Sequence, residues 1–142
     1  YGKVVWQGMQ KIFSKKGCCL EEEQYLEIPK DRDLRRMFYK IRLAGLALSA
    51  DILVFASAVQ GAEAVGYLHD LEIKVPEEIE VIAVGKEETA LICRPQLTTV
   101  EFDKKRFVRQ VIEELYVQMI KGYILTKSGK ISVKTIIRGS SN

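Results

Sequence analysis

The sequence predicts an α/β fold with a mainly parallel sheet flanked by helices, and three observations in its middle third carry that prediction. Ile52-Leu-Val-Phe-Ala56 and Ile79-Glu-Val-Ile-Ala-Val84 are short apolar runs with branched and aromatic residues, the composition of buried strands. Between them Val59, Ala62, Val65 and Tyr67 to Leu68 recur at helical spacing. Val75-Pro76 then breaks that pattern before the second strand. A strand, a helix and a strand of this length form a βαβ unit, whose crossover is right-handed in nearly all parallel sheets. Ligands of such sheets sit beyond the carboxyl ends of the strands. That places the chemistry of interest in the loop Ser57-Ala58-Val59 after the first strand and the loop Gly85-Lys86-Glu87 after the second.

Taken in order, the chain opens on a helix with Val5, Met9, Ile12 and Phe13 on one face and Lys11, Lys15 and Lys16 turned away, ended by Gly17. Gln24 to Ile28 reads as a strand. Pro29-Lys-Asp31 reads as a turn into a helix capped by Asp31, with Leu34, Met37, Phe38, Ile41 and Leu48 as its buried stripe. Arg32, Arg35, Arg36, Lys40 and Arg42 accompany that helix. Without aromatic interleaving or a DNA-reading motif, this basic run is read as a solvated face and not as a nucleic-acid surface. After the central unit, Thr98 to Phe102 is a strand by its β-branched content. Asp103 caps the most regular helix, with Phe107, Val108, Val111, Ile112, Leu115 and Met119 at spacings of three and four and Gly122 as its stop. Thr126 to Lys130 is a polar loop, and Ile131 to Ile137 is the closing strand.

Composition narrows the function by exclusion. At 142 residues with 47% hydrophobic and 29% charged residues, the chain suits one globular domain. A net charge of +3 is too mild to argue for nucleic acid, and no apolar run approaches the length of a membrane span. The first residues lack the features of a signal peptide, so the reading is cytoplasmic. Cys18, Cys19 and Cys93 form no CxxC, and with one histidine they read as reduced thiols and not as zinc ligands. There is no GxSxG, HExxH or phosphate-binding glycine loop, and His69 stands near a helix end, where the dipole favours a surface cation. Asp51 precedes its strand, whereas a phosphoacceptor domain needs acids after one. The expectation is no enzyme, no cofactor and no metal.

The middle of the chain also resembles a known family. Ile73-Lys-Val-Pro-Glu-Glu-Ile79, then Val81-Ile-Ala-Val84, then Pro95-Gln-Leu-Thr-Thr-Val100 resembles the effector-binding domain of LacI/GalR-type bacterial transcription regulators. Val5-Trp6-Gln7-Gly8-Met9 is similar to the family's helix in which an Arg precedes a Gly-aromatic pair, and Ile136 to Ser141 is similar to its closing strand with an Arg-x-Ser ending. The resemblance implies a type I periplasmic-binding-protein-like fold, here the C-terminal lobe with the crossing to the N-terminal lobe. Residues 1–142 would then be a partial effector-binding and dimerisation region, without the helix-turn-helix and most of the first lobe. In that case the helix after Asp103 lacks much of its usual sheet partner, and its apolar stripe must find another surface or remain a liability.

The resemblance implies pocket positions at Val5, Ala58, Val59, Gly85 and Lys86. Sugar-binding members carry an Arg, an Asn-Asp pair and an Asp where this chain has Val5, Ala58 with Val59, and Gly85. The expected ligand is therefore not an ordinary sugar, but a more apolar molecule or an anion held by Lys86. Partners implied are a second copy of the chain, an unknown small-molecule effector or regulatory protein, and operator DNA through the missing domain. The two-fold surface would include Gln60, Glu63, Ala64, Tyr67, Leu68 and Val84. The small residues Gly61, Ala62, Ala64 and Gly66 fit that surface and fit tight packing on the parent sheet equally well. A solute-binding protein of the same fold and a partner-controlled module with a vestigial pocket remain as alternatives.

Overall fold

The computed structural model describes residues 2–85, 87–122 and 133–142. Five α-helices and four strands follow one another as α1 (Gly2–Lys15), α2 (Arg32–Ala47), β1 (Ile52–Phe55), α3 (Ala58–Asp70), β2 (Glu80–Val84), α4 (Glu87–Ala90), β3 (Thr98–Phe102), α5 (Lys104–Lys121) and β4 (Val133–Ile136). The strands lie in the order β1-β2-β3-β4. β1, β2 and β3 are parallel, as expected, and β4 runs antiparallel to β3. The sheet is thus mainly parallel, with its antiparallel strand at one edge.

The core lies between the sheet and α3, with α2 packed beyond α3. Leu53 and Phe55 of β1 share a sheet face with Val81 and Ala83 of β2, and this face meets Ala64, Val65 and Leu68 of α3. Gly61 belongs to the same contact. A Cβ there would stand 2.9 Å from the Cβ of Ala83, so only glycine lets the helix come this close.

Caps set the helix boundaries where the sequence places them. The carboxylate of Asp31 accepts hydrogen bonds from the backbone N–H groups of Asp33 and Leu34, and that of Asp103 accepts from Arg106. Gly122 ends α5 at φ 68°, and Gly17 follows α1 at φ 79°, both in the left-handed region that favours glycine.

Three expectations need correction. Gln24 to Ile28 is not a strand: Glu22–Gln24 forms a 3-10 turn, and the following backbone, extended at Tyr25, has no ladder partner because the sheet ends at β1. Tyr25 instead stacks on Trp6 at 5.7 Å. The second correction concerns α2, where Leu34, Met37, Ile41 and Leu48 are exposed and only Phe38 of the expected stripe packs on the core. The buried residues are Tyr39 and Leu43. Tyr39 stacks on Tyr67 at 5.3 Å and donates its hydroxyl to the Gln60 carbonyl at 3.1 Å, while Arg35 grips the Glu63 carboxylate at 2.8 and 3.2 Å. These directed contacts with α3 decide the helix's rotation against its aliphatic stripe. The third is the loop expected at Gly85-Lys86-Glu87, whose last residue already opens the helical turn Glu87–Ala90. The stripe of α5 is exposed throughout, and none of that helix's residues is buried. Of the closing strand, Val133–Ile136 pairs in the sheet, and the loop expected at Thr126 to Lys130 lies outside the described residues.

The sheet is locked by the residues that follow β4. Ser140 sits between β2 and β3: its carbonyl accepts from Val81 N–H, its hydroxyl donates to the Val81 carbonyl, and the same Oγ accepts from Thr98 N–H. Arg138 donates to the Leu97 carbonyl at 2.9 Å and to Thr99 Oγ1 at 2.7 Å, with the Glu101 carboxylate 3.7 Å away. These groups are nearly all buried, and each buried polar side-chain atom among the described residues has a partner, which is the condition under which such a network holds a sheet together.

Candidate functional site

Two surfaces deserve a chemical reading, the mouth at the carboxyl ends of β1 and β2 and a groove on the outer side of α3. At the mouth, β1 turns through Ala56 and Ser57 into α3, and β2 turns at Gly85 towards α4. The structure brings Ala58 and Gly85 together. A Cβ on Gly85 would lie 2.4 Å from the Cβ of Ala58 and 2.9 Å from its backbone nitrogen. No side chain therefore fits at 85 without moving the first turn of α3, and Ala58 itself is 4% exposed. Val59, one residue on, is 55% exposed and points into the outer groove instead. Val5 is half-buried on α1, and Lys86 lies outside the described residues.

Ser57 stands at the N-cap of α3 but its hydroxyl makes no capping hydrogen bond. Among the described residues no three His, Cys, Asp or Glu side chains gather where a metal would sit. Cys18 and Cys19 are exposed thiols, Cys93 donates to the Ala90 carbonyl, and His69 lies on the surface at the end of α3.

The groove has a volume of about 1220 Å³ and runs between α2, α3 and the stretch from α4 to Arg94. Tyr39 and Tyr67 line it, with Val59, Ala62 and Gly66 along α3 and Ile92 at the far wall. Burial holds the Tyr39 phenol well above its ordinary value, the Glu63 carboxylate adding to the effect, so it stays protonated. The hydrogen bonds from Arg35 to Glu63 raise the guanidinium in turn.

Of the residues expected at a two-fold surface, Gln60, Glu63 and Tyr67 are partly exposed, and Glu63 and Tyr67 line this groove. Ala64 and Leu68 are fully buried in the core, and Val84 is half-buried on β2. The basic residues Arg32, Arg36 and Lys40, read in the sequence as a solvated face, flank the groove, as does Arg94. Their spacing of four along α2 was the available signal, but it carries no information about what stands opposite.

Comparison with known proteins bears on the fold that carries these surfaces. Residues 1–141 match the model of the periplasmic binding protein-like domain. No curated protein sequence matches the chain significantly. Among solved structures, the chain superposes on a transcriptional regulator CelR–cellobiose complex with a TM-score of 0.77 at 18% identity, covering 95% of this chain and 41% of that one. For the Escherichia coli transcriptional repressor ascG the TM-score is 0.71 at 21% identity, with 94% and 48% covered. For a LacI-family regulator from Sanguibacter keddieii it is 0.77 at 16% identity, with 95% and 52% covered. The chain spans about half the length of these structures or less. No helix among its described residues is long and apolar enough to cross a membrane. With nearly its whole length inside the match and a parallel βαβ sheet as its centre, the chain belongs to the periplasmic binding protein-like domain family and has the fold seen in LacI-family transcriptional regulators.

Proposed function

We propose that residues 1–142 are the effector-binding and dimerisation region of a LacI-type cytoplasmic transcription regulator whose DNA reading is done by a helix-turn-helix outside these residues, and whose pocket does not take an ordinary sugar. The contact between Ala58 and Gly85 carries this reading. A sugar presents many hydroxyls, and each buried polar group without a partner costs about 1–3 kcal/mol. The mouth has an alanine and a glycine close together where, on the family resemblance, sugar-binding members carry an Asn and an Asp. The similar CelR structure is a cellobiose complex, so the fold admits sugars and the difference rests on these side chains.

A thermal-shift series with common mono- and disaccharides tests the pocket. A ligand at a hundred times its dissociation constant stabilises by about 2.7 kcal/mol, and none of the sugars is expected to approach this. A clear shift with one of them, abolished by changing Val59 or Lys86, overturns the proposal. The two-fold surface is assigned to the groove along Val59, Ala62, Gly66 and Ile92. Gly66 supports this, because a Cβ there meets nothing within 4 Å and its smallness answers to no neighbour in the chain. Tyr67 is bound up with Tyr39, so Ile92, 77% exposed, is the cleaner probe. Ile92→Asp should shift a light-scattering dimer to monomer with an unchanged helix signal in circular dichroism and an unfolding midpoint lowered only by the lost association. A chain that is monomeric without the change has its interface elsewhere or none.

A further inference from the structure

The groove's charges do not balance. Among the described residues five cationic side chains, Arg32, Arg35, Arg36, Lys40 and Arg94, line it against three acidic ones, Asp33, Glu63 and Asp70. Arg35 is already held by Glu63, and Asp70 has only a distant contact with His69 at 3.9 Å. Arg32, Arg36 and Lys40 stand on successive turns of one flank of α2, and Arg94 stands across the groove. Among the described residues none of these four makes an ion pair within the chain, and Arg94 is engaged only by backbone carbonyls of Leu91 and Cys93. In a two-fold interface the same patch meets itself, so the excess of one face confronts the excess of the other. Like charges brought together and partly desolvated oppose association.

We infer that a multivalent anion, a phosphate or sulfate group free or on a small organic ester, binds between the Arg32-Arg36-Lys40 flanks of two copies and makes their pairing anion-dependent. This rests on the proposal that the groove is the two-fold surface. Guanidinium groups suit the role because their forked donors match tetrahedral oxyanions, and Lys40 adds a point charge. An anion bound by the pair and not by the single copy tightens association by mass action, by about tenfold per site at ten times its dissociation constant.

Sedimentation velocity of the 142-residue chain reads this directly. The dimer dissociation constant is measured in sodium chloride, sodium sulfate, sodium phosphate and glycerol 2-phosphate at matched ionic strength. The expected result is dimerisation at least about tenfold tighter in the multivalent salts than in chloride. Glycerol 2-phosphate matching inorganic phosphate assigns the site to phosphate groups generally; inorganic phosphate and sulfate acting alone assigns it to the free ions. The double variant R36Q/K40Q should dimerise in chloride and lose the difference between salts, with circular dichroism checking its fold. Equal dissociation constants in all four salts, or a variant that keeps the full difference, overturns the anion site while leaving the dimer in place. A chain monomeric in every salt overturns the two-fold reading itself.

Discussion

A methyl group added at Gly85 would meet Ala58 at 2.4 Å, whereas one added at Gly66 would meet nothing within 4 Å. Gly85→Ala should therefore cost about 1–3 kcal/mol in chemical denaturation, the usual range for overpacking. Gly66→Ala should gain about 0.5–1 kcal/mol in the single chain, since a helix interior favours alanine and no neighbour within the chain objects, while weakening a dimer seated on that surface. The sequence shows both residues as single glycines after a valine and cannot separate them, because the separating fact is the distance from β2 to α3. Tyr39 gives a second test at this scale. Burial, with Glu63 adding to it, raises the phenol in the folded chain, while the unfolded chain releases its proton near the ordinary value of 10.0. The folded state then binds more protons above that pH, so the contribution is complete below pH 10 and is lost as pH rises beyond it. Tyr39→Phe should lose about 1 kcal/mol at neutral pH through the hydrogen bond to Gln60. Its stability should also fall less steeply than the parent's in denaturation curves taken above pH 10.

Among the elements, the helices were readable to the extent that their ends are made by local chemistry. Asp31, Asp103 and Gly122 act on their own neighbours within a turn, and they mark the boundaries of α2 and α5 correctly. Which side of α2 is buried is not local. Leu34, Met37 and Ile41 form the more hydrophobic stripe, yet Tyr39 and Arg35 reach partners on α3 that no periodicity reveals. The same holds for Gln24 to Ile28, where extended backbone is in place but a strand also needs a neighbour. Ser140 is the reverse case, a small polar residue past the last strand that joins β2 to β3. Ser140→Ala leaves the Thr98 N–H without its partner in a fully buried position and removes the hydroxyl's bond to Val81. A loss of about 1–3 kcal/mol in urea denaturation is expected, against a near-zero effect for the exposed Ser14→Ala on α1.

For the whole molecule, the βαβ order and the family were legible because Val-Pro-Glu-Glu-Ile and Pro-x-Leu-Thr-Thr-Val sit at the joints of the parallel sheet, where turns and strand starts restrict the residues that fit. The groove was not, since its walls come from α2, α3 and the stretch from α4 to Arg94, which the sequence keeps far apart. The register of β3 and β4 has a constructive use. Phe102 pairs with Val133, so the chain leaves the sheet and re-enters it at adjoining positions, and α5 between them contributes no buried residue. In engineering terms the excursion is a cassette. Residues 103–132 should be replaceable by an Asn-Gly hairpin turn joining Phe102 to Val133. Shortening the connection lowers its closure entropy by about 2 kcal/mol, and the trimmed chain should keep one cooperative unfolding transition while its circular dichroism loses the helix signal of α5. A trimmed chain without that transition would mean that α5 is needed for the sheet to form; one that keeps it would offer a two-residue port through which other sequences can be displayed from the same scaffold.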